Sequence, residues 1–358
     1  MNLVRIAAAA ALSFAALSAG AAGAAGAAGA AGAAGKEGVS FSHNDWELAC
    51  DNTRTCRAAG YQSEGADITE PVSMLITRKA GPDTSVEIEL QTGGEKPAKG
   101  PVRFKVGKAT LSGFKDSAAS LDQDQVRAVL PELLRNDDAT LTDRGGQKWV
   151  LSLSGLNAVL LKMDEVQGRV GTPGALVRRG SKPESSVLPP VPAPVVKAVV
   201  PPKARPGDDA LAARIFPSLK QSDAKDDCNN HEDFNAKSLN VTRLTDRKVL
   251  LSFGCGMGAY NYSSLLWIAN DKPPYAPVAI EANGDFDEKD ASVTSSMKGR
   301  GIGDCWSSET WSFDGKGFVR TAAAGDGMCR GFAGGAWSLP RYVTRVELSE
   351  PSATPSKP

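Results

Sequence analysis

The chain has 358 residues, with 41 basic against 41 acidic side chains and six cysteines. Balanced charge with no basic stripe argues against nucleic acid and anionic membrane surfaces as partners, since both are bound mainly through clustered positive charge. Once leader and linkers are set aside, the length accommodates two domains of roughly 145 residues, each able to bury a core.

An apolar run from Ile6 to Leu17 follows Arg5 and ends in the small residues Ser18, Ala19 and Gly20, the pattern of a signal peptide over residues 1–20. At about a dozen residues the run is shorter than the roughly 20 a bilayer span requires. No later stretch is long or apolar enough, so the mature chain is expected to be periplasmic, with no membrane span. Ala-Ala-Gly triplets fill residues 21–35. Glycine at every third position without the prolines of collagen reads as a flexible tether.

The first block, residues 36–180, reads mainly as β-structure. Apolar and polar residues alternate in Val86-Glu87-Ile88-Glu89-Leu90 and in Val102-Arg103-Phe104-Lys105-Val106, the mark of half-buried antiparallel strands. A helix is signalled from Asp122, as N-cap, to about Arg135, with Val126, Val129, Leu130, Leu133 and Leu134 at helical spacing. Pro131 is expected to kink it or to force a new start. Trp149 to Leu153 resumes the strand pattern, whereas the apolar run Ala158 to Met163 has no assignable period.

Residues 181–207 carry Pro183, Pro189, Pro190, Pro192, Pro194, Pro201, Pro202 and Pro206. In the polyproline state, at about 3.1 Å per residue, such a segment is a semi-rigid spacer between domains. The second block, residues 208–350, opens with a short helix near Asp208 to Phe216, ended by Pro217. Strands follow at Lys248–Phe253, Leu265–Ala269, Val278–Glu281, Trp311–Phe313, Phe318–Thr321 and Tyr342–Leu348. Asp314-Gly315 between Phe313 and Phe318 is a hairpin turn signal. The expected fold is mainly β, with two antiparallel β domains: a β-sandwich with one helix, then a disulfide-stapled β-meander. Residues 351–358 are left as a disordered tail.

An even cysteine count behind an export signal reads as a disulfide framework of Cys50, Cys56, Cys228, Cys255, Cys305 and Cys329. Cys50 and Cys56 close a small loop. The other four allow three connectivities, of which Cys228 with Cys255 and Cys305 with Cys329 is the first choice. Zinc needs close ligand pairs, and only Cys50 and Cys56 lie near each other, so neither metal nor cofactor is expected.

No catalytic constellation stands out. The two histidines, His43 and His231, lack a nucleophile signature and read as surface or capping residues. Asp285, Asp287, Glu288 and Asp290 lack the later glycine and the terminal glutamate of a calcium loop. More distinctive are the aromatics set among glycines and cysteines of the second block: Tyr260 and Tyr262 after Gly254-Cys255-Gly256, Trp306 after Gly303-Asp304-Cys305, and Trp337 after Gly334-Gly335-Ala336. Tryptophans beside cystines usually pad a small core. Otherwise Tyr260, Tyr262, Trp306 and Trp337 are candidate anchors for a glycan, a peptide or a partner protein.

The string Trp46-Glu47-Leu48-Ala49-Cys50-Asp51-Asn52-Thr53-Arg54-Thr55-Cys56-Arg57-Ala58-Ala59-Gly60-Tyr61, with Met163-Asp164-Glu165-Val166-Gln167-Gly168-Arg169 and the Gly-Asp-Cys and Cys-Arg-Gly strings, resembles an uncharacterised family of exported proteobacterial proteins. The resemblance spans nearly the whole mature chain. It implies a periplasmic location and paired cysteines, and no activity. The first block also resembles the invasion-associated locus B family in its Trp-x-x-x-Cys opening, second nearby cysteine and Leu153-Ser154-Gly155-Leu156-Asn157-Ala158 segment. That likeness implies a β-sandwich and an envelope or host-facing interaction role, although the later cysteine pair of that family is missing.

The reading that follows is a non-enzymatic binding module of the cell envelope, its partner an envelope protein or glycan. A hydrolase of envelope polymers is the alternative, running on carboxylates such as Asp304 with Asp314 or Asp285 with Asp287. An inhibitor of a hydrolase, wedged in by the Cys50–Cys56 loop, is the third class.

Overall fold

The structure, a computed structural model, describes residues 36–95, 98–115, 117–220 and 228–349. The segments read as signal peptide, tether and tail lie outside these residues.

In the first block, β1 (Val39–His43), β2 (Trp46–Cys50), β3 (Cys56–Tyr61), β4 (Val72–Arg78) and β5 (Val86–Thr92) form an antiparallel meander. The hairpin β6 (Val102–Val106) and β7 (Ala109–Phe114) leaves this sheet, and β8 (Ala118–Ser120) returns to pair with β5. After α1 (Gln123–Leu133), β9 (Asp138–Thr142) and β10 (Lys148–Ser152) complete a second sheet in the order β10-β9-β6-β7. Between the sheets lies one core that includes Trp46, Ile76, Ile88, Phe104, Leu141 and Leu151. β6 is buried on one face only, which is why it alternates; β2, β3 and β4 are buried on nearly every residue and are mostly apolar without alternation, broken by single polar residues such as Glu47, Arg57 and Ser73.

Asp122 caps α1 through a reciprocal box: its carboxylate accepts the Gln125 N–H at 2.9 Å, and its own N–H donates to Gln125 Oε1 at 3.0 Å. Pro131 does not force a new start, since one helix runs through it. It sits in the last turn, where it costs one bond to the carbonyl of exposed Arg127, while buried Val129, Leu130 and Leu133 hold the helix to the core. The unassigned run Ala158 to Met163 belongs to α2 (Leu156–Val166), whose Leu156, Val159, Leu160 and Met163 form a buried stripe at helical spacing. One turn on, the 163–169 string is a buried charge knot. Asp164 accepts the N–H groups of Leu176 and Val177 and lies 3.8 Å from Arg78. Arg169, fully buried, donates to Gln167 Oε1, Thr84 Oγ1 and the Gly81 carbonyl, and pairs with Glu184 at 3.3 Å. Burial and the nearby Arg169 charge pull the Arg78 pKa down to about 10.

The proline-rich segment lies along the first block before it leaves. Leu188 N–H bonds the Gln167 carbonyl and Val191 N–H that of Thr53. Within it, β11 (Val195–Val199) pairs in parallel with the last of the described strands.

In the second block α3 (Leu211–Ile215) is followed by a 3₁₀ turn through Pro217. The strands β12 (Asn240–Arg243), β13 (Lys248–Met257), β14 (Tyr262–Asn270) and β15 (Val278–Ala279) form one antiparallel sheet. Its two faces serve two cores: Val249, Leu251, Phe253 and Trp267 pack under α3 and Phe234, while Leu250, Leu266 and Ile268 meet the other sheet. That sheet runs β16 (Phe286–Asp287), β17 (Ser292–Lys298), β18 (Trp306–Phe313), β19 (Phe318–Gly325) and β20 (Leu339–Val343). The hairpin at Asp314-Gly315 is present, with Asp314 Oδ1 accepting the N–H groups of Lys316 and Gly317 at 2.8 Å. The strand expected over Tyr342–Leu348 is two: the chain breaks at Thr344, and β21 (Arg345–Ser349) turns to join β11.

The loop between β19 and β20 crosses to the first block. Phe332 and Leu339, with Met328 and Trp337 beside them, cover Ala49, Ala59, Tyr61 and Leu75 on the outer face of the first sheet. This contact buries the second face of β2, β3 and β4.

Candidate recognition surface

The candidate anchors divide between two places. At one end of the second block, the turn joining β13 to β14 is closed by the Gly258 N–H to Asn261 carbonyl bond at 2.8 Å. Asn261 stitches that turn to the end of β17: its Nδ2 donates to the Lys298 carbonyl at 3.1 Å and its Oδ1 accepts the Lys298 N–H at 2.7 Å. Tyr260 thereby comes against Gly301, and Ile302 follows in the same loop. Trp306 opens β18 opposite Lys298, with its indole N–H on the Gly303 carbonyl at 3.0 Å and the Lys298 ammonium 5.2 Å from the ring centroid. Tyr260 and Trp306, far apart in sequence, thus both meet the same loop, at Gly301 and Gly303, and Tyr262 follows Tyr260 at the start of β14.

Large apolar side chains are exposed at this end. Met257 is 64% exposed, its strand partner Tyr262 45% and Ile302 63%. The scaffold is braced covalently, with Cys228 bonded to Cys255 in β13 and Cys305 bonded to Cys329 beside the 299–304 loop. It is braced by charge as well. Arg300 donates to both carboxylate oxygens of buried Asp304, which also accepts the Gly331 N–H at 2.7 Å. Burial works to raise the Asp304 carboxyl, but these donors outweigh it and hold the group below its ordinary range. Gly254 makes room for Tyr262, since a Cβ there would collide with the phenol oxygen.

Trp337 stands elsewhere. Its indole N–H donates to Ser73 Oγ at 2.7 Å in the contact between the blocks, half-buried beside Phe332 and Leu339. The third cystine, Cys50–Cys56, is buried at the end of the β2–β3 hairpin. Asp51 fills that small loop, accepting from Thr53, Thr55 and Arg57. Asp304, Cys305 and Cys329 put three ligand-type atoms within 4.8 Å of one another. The sulfurs are bonded to each other and the carboxylate is held by Arg300 and Gly331, so the trio has no free ligand set for a metal.

Three of the four carboxylates considered for hydrolysis, all but Asp285, are engaged in structure. Asp304 is paired as above, Asp314 closes its hairpin, and Asp287 accepts the Lys289 N–H at 2.8 Å. His43 is exposed in β1, and His231 Nδ1 lies 3.2 Å from the Cys228 carbonyl. A different carboxylate lines a groove. Between the outer face of β1–β2 and the edge of β19–β20 lies an open cavity of about 490 Å³, walled by Ser40, Ser42 and Glu47 on one side and Gly325, Leu339 and Arg341 on the other. Burial raises the Glu47 carboxyl above its ordinary value, against the lowering effect of the 2.8 Å bond from Tyr61 Oη. Sequence reasoning passed over Glu47. Its signal was a lone charge in the otherwise apolar strand Trp46–Cys50.

The chain matches the family described as "Protein of unknown function (DUF1176)" over residues 40–345. It is 31% identical over 341 residues to "Uncharacterized protein YpfG" of Escherichia coli (strain K12), covering 84% of this chain and 92% of that one. The crystal structure of invasion associated protein b from Bartonella henselae overlaps 36% of this chain and 99% of its own, at 19% identity and a TM-score of 0.28.

Proposed function

This chain belongs to the DUF1176 family, and from that premise we propose that it is an exported binding module of the cell envelope which captures a partner through the surface around Tyr260, Tyr262 and Trp306. The observation that carries the reading is the exposure of Met257 and Tyr262, paired at the ends of β13 and β14, and of Ile302 in the following loop, on a scaffold that two cystines and the Arg300–Asp304 pair brace. A surface of this kind gives up little conformational entropy on association, and aromatic side chains on it are the residue types that dominate binding energy. Envelope protein and envelope glycan are the two partner classes it suits.

The test is capture by purified envelope sacculi and, separately, by solubilised envelope proteins. In folded variants, Tyr262→Ala or Trp306→Ala should weaken capture by more than about 1 kcal/mol, roughly fivefold or more. Replacing both His43 and His231 with glutamine should leave it within a few-fold. Unchanged capture in both aromatic variants would sink the reading.

Glu47 in its groove favours a second reading, hydrolysis of an envelope polymer. A carboxyl with its pKa raised by burial is suited to act as a general acid. Glu47→Gln would then abolish release of soluble fragments from sacculi. If the parent protein releases none, this second reading fails.

A further inference from the structure

Strand β21 has one partnered edge. The Arg345 N–H donates to the Pro194 carbonyl at 2.8 Å, and the Ser349 carbonyl accepts the Val200 N–H at 3.0 Å. Residues 345 and 349 therefore turn their backbone groups toward β11, and by the two-residue period of a strand so does Glu347. Val346 and Leu348 turn theirs the other way, where no strand meets them among the described residues. All five residues of β21 are exposed, Val346 at 41% and Leu348 at 53%. With Thr344 these two line an open groove of about 410 Å³, together with the hydroxyls of Thr310, Ser312 and Thr321. On the opposite face Arg345 and Glu347 form an ion pair at 3.0 Å.

Folded proteins usually blunt an edge strand with proline, a bulge or a cover. From Arg345 to Leu348 this edge has no proline or bulge and no strand covering it among the described residues, and its side chains are self-complementary. We propose that it docks a second copy of the chain through antiparallel pairing of β21 with β21, on a two-fold axis at Val346. Outward-facing backbone groups require Val346 to sit opposite itself as a hydrogen-bonded pair. That register places Arg345 opposite Glu347 of the second copy, and Glu347 opposite its Arg345, in the positions where side chains are closest. Leu348 falls opposite Thr344. Moving the axis one residue either way would oppose Glu347 to Glu347 or Arg345 to Arg345, which like-charge repulsion disfavours. A symmetric pair of this kind is closed, so assembly stops at two.

Sedimentation velocity on the full chain from about 1 to about 300 µM tests the pairing, over a range that suits so small an interface. The expected result is a concentration-dependent monomer–dimer equilibrium. Glu347→Arg should weaken it at least tenfold, and the double swap Arg345→Glu with Glu347→Arg should restore it to within about threefold. Val346→Pro should abolish the dimer and leave the near-UV circular dichroism and Tm of the monomer unchanged, because the Val346 N–H is not used by β11. A monomer throughout the range, a dimer indifferent to Glu347→Arg and Val346→Pro, a double swap that fails to restore pairing, or assemblies beyond two would each overturn the proposal.

Discussion

Tyr61 and Met328, 267 positions apart in sequence, are joined by a 3.1 Å hydrogen bond from the Met328 N–H to the phenol oxygen. The same hydroxyl donates to Glu47 at 2.8 Å, so one buried group satisfies both halves of the chain. Around it, Gln62 Nε2 donates to the Arg330 carbonyl at 2.7 Å, and Arg330 reaches Asp45 at 3.1 Å. Tyr61→Phe keeps the ring and removes both bonds, taking one partner each from the Met328 N–H and the Glu47 carboxylate. The expected loss is about 1–3 kcal/mol in denaturant unfolding. A loss below about 0.5 kcal/mol would show that the network contributes nothing to stability.

Gly327 and Gly334 lie in the same loop with left-handed backbones, at φ +103° and +83°. A Cβ on Gly334 meets nothing within 4 Å, whereas one on Gly327 collides with the buried Tyr61 hydroxyl. Gly334→Ala should therefore cost only the backbone strain, about 1 kcal/mol, and Gly327→Ala at least twice as much. Equal costs would mean that the loop gives way as easily at one position as at the other.

Glu47 and Asp304 should respond to pH with opposite sign. Burial raises the folded pKa of Glu47, so its favourable contribution is complete below the ordinary value of 4.5 and is lost as pH rises through the folded value. Asp304, held below its ordinary 3.8, contributes above that value and loses its contribution as pH falls through the folded one. Glu47→Gln should gain stability relative to the parent as pH rises, and Asp304→Asn should lose it. Unfolding free energies of both variants between pH 3 and pH 8 check the two slopes.

All six cysteines are paired, so thiol titration of the unfolded, unreduced protein should find none. By chain entropy, removing Cys50–Cys56, with a separation of 6, should cost about 2 kcal/mol, and removing Cys305–Cys329, with a separation of 24, about 3.5 kcal/mol. Paired serine replacements measured by urea unfolding give the order. Hydrogen exchange should also rise across residues 326–337 in the Cys305–Cys329 replacement alone, since Cys329 tethers that loop.

The parts of this fold legible in the sequence are those written locally. Asp122 and Gln125 carry both halves of their capping box within one turn, and Asp314-Gly315 carries its hairpin within four residues. What could not be read is where a strand's second face goes. Ala58-Ala59-Gly60-Tyr61 and Met74-Leu75-Ile76 are apolar without alternation, which says that both faces are buried and not that residues beyond position 325 cover one of them. For the same reason Trp337 looked like its companions. A Gly-rich, aromatic string is identical in sequence whether its ring packs on Ser73 or faces water. Tyr260 and Trp306 meet the same loop because Asn261 bridges two hairpins, a tertiary contact with no local signature.

The parallel pairing of Val195 with Arg345 has a temporal meaning. Local hairpins such as β13–β14 can close as soon as both strands exist, but β11 waits for nearly the whole second block before its partner appears. A chain made from its first residue to its last presents this segment unpaired until the end, and joining β21 to it is among the final events of folding. Truncation a few residues before Arg345 should then leave the hairpins formed and the block unclosed.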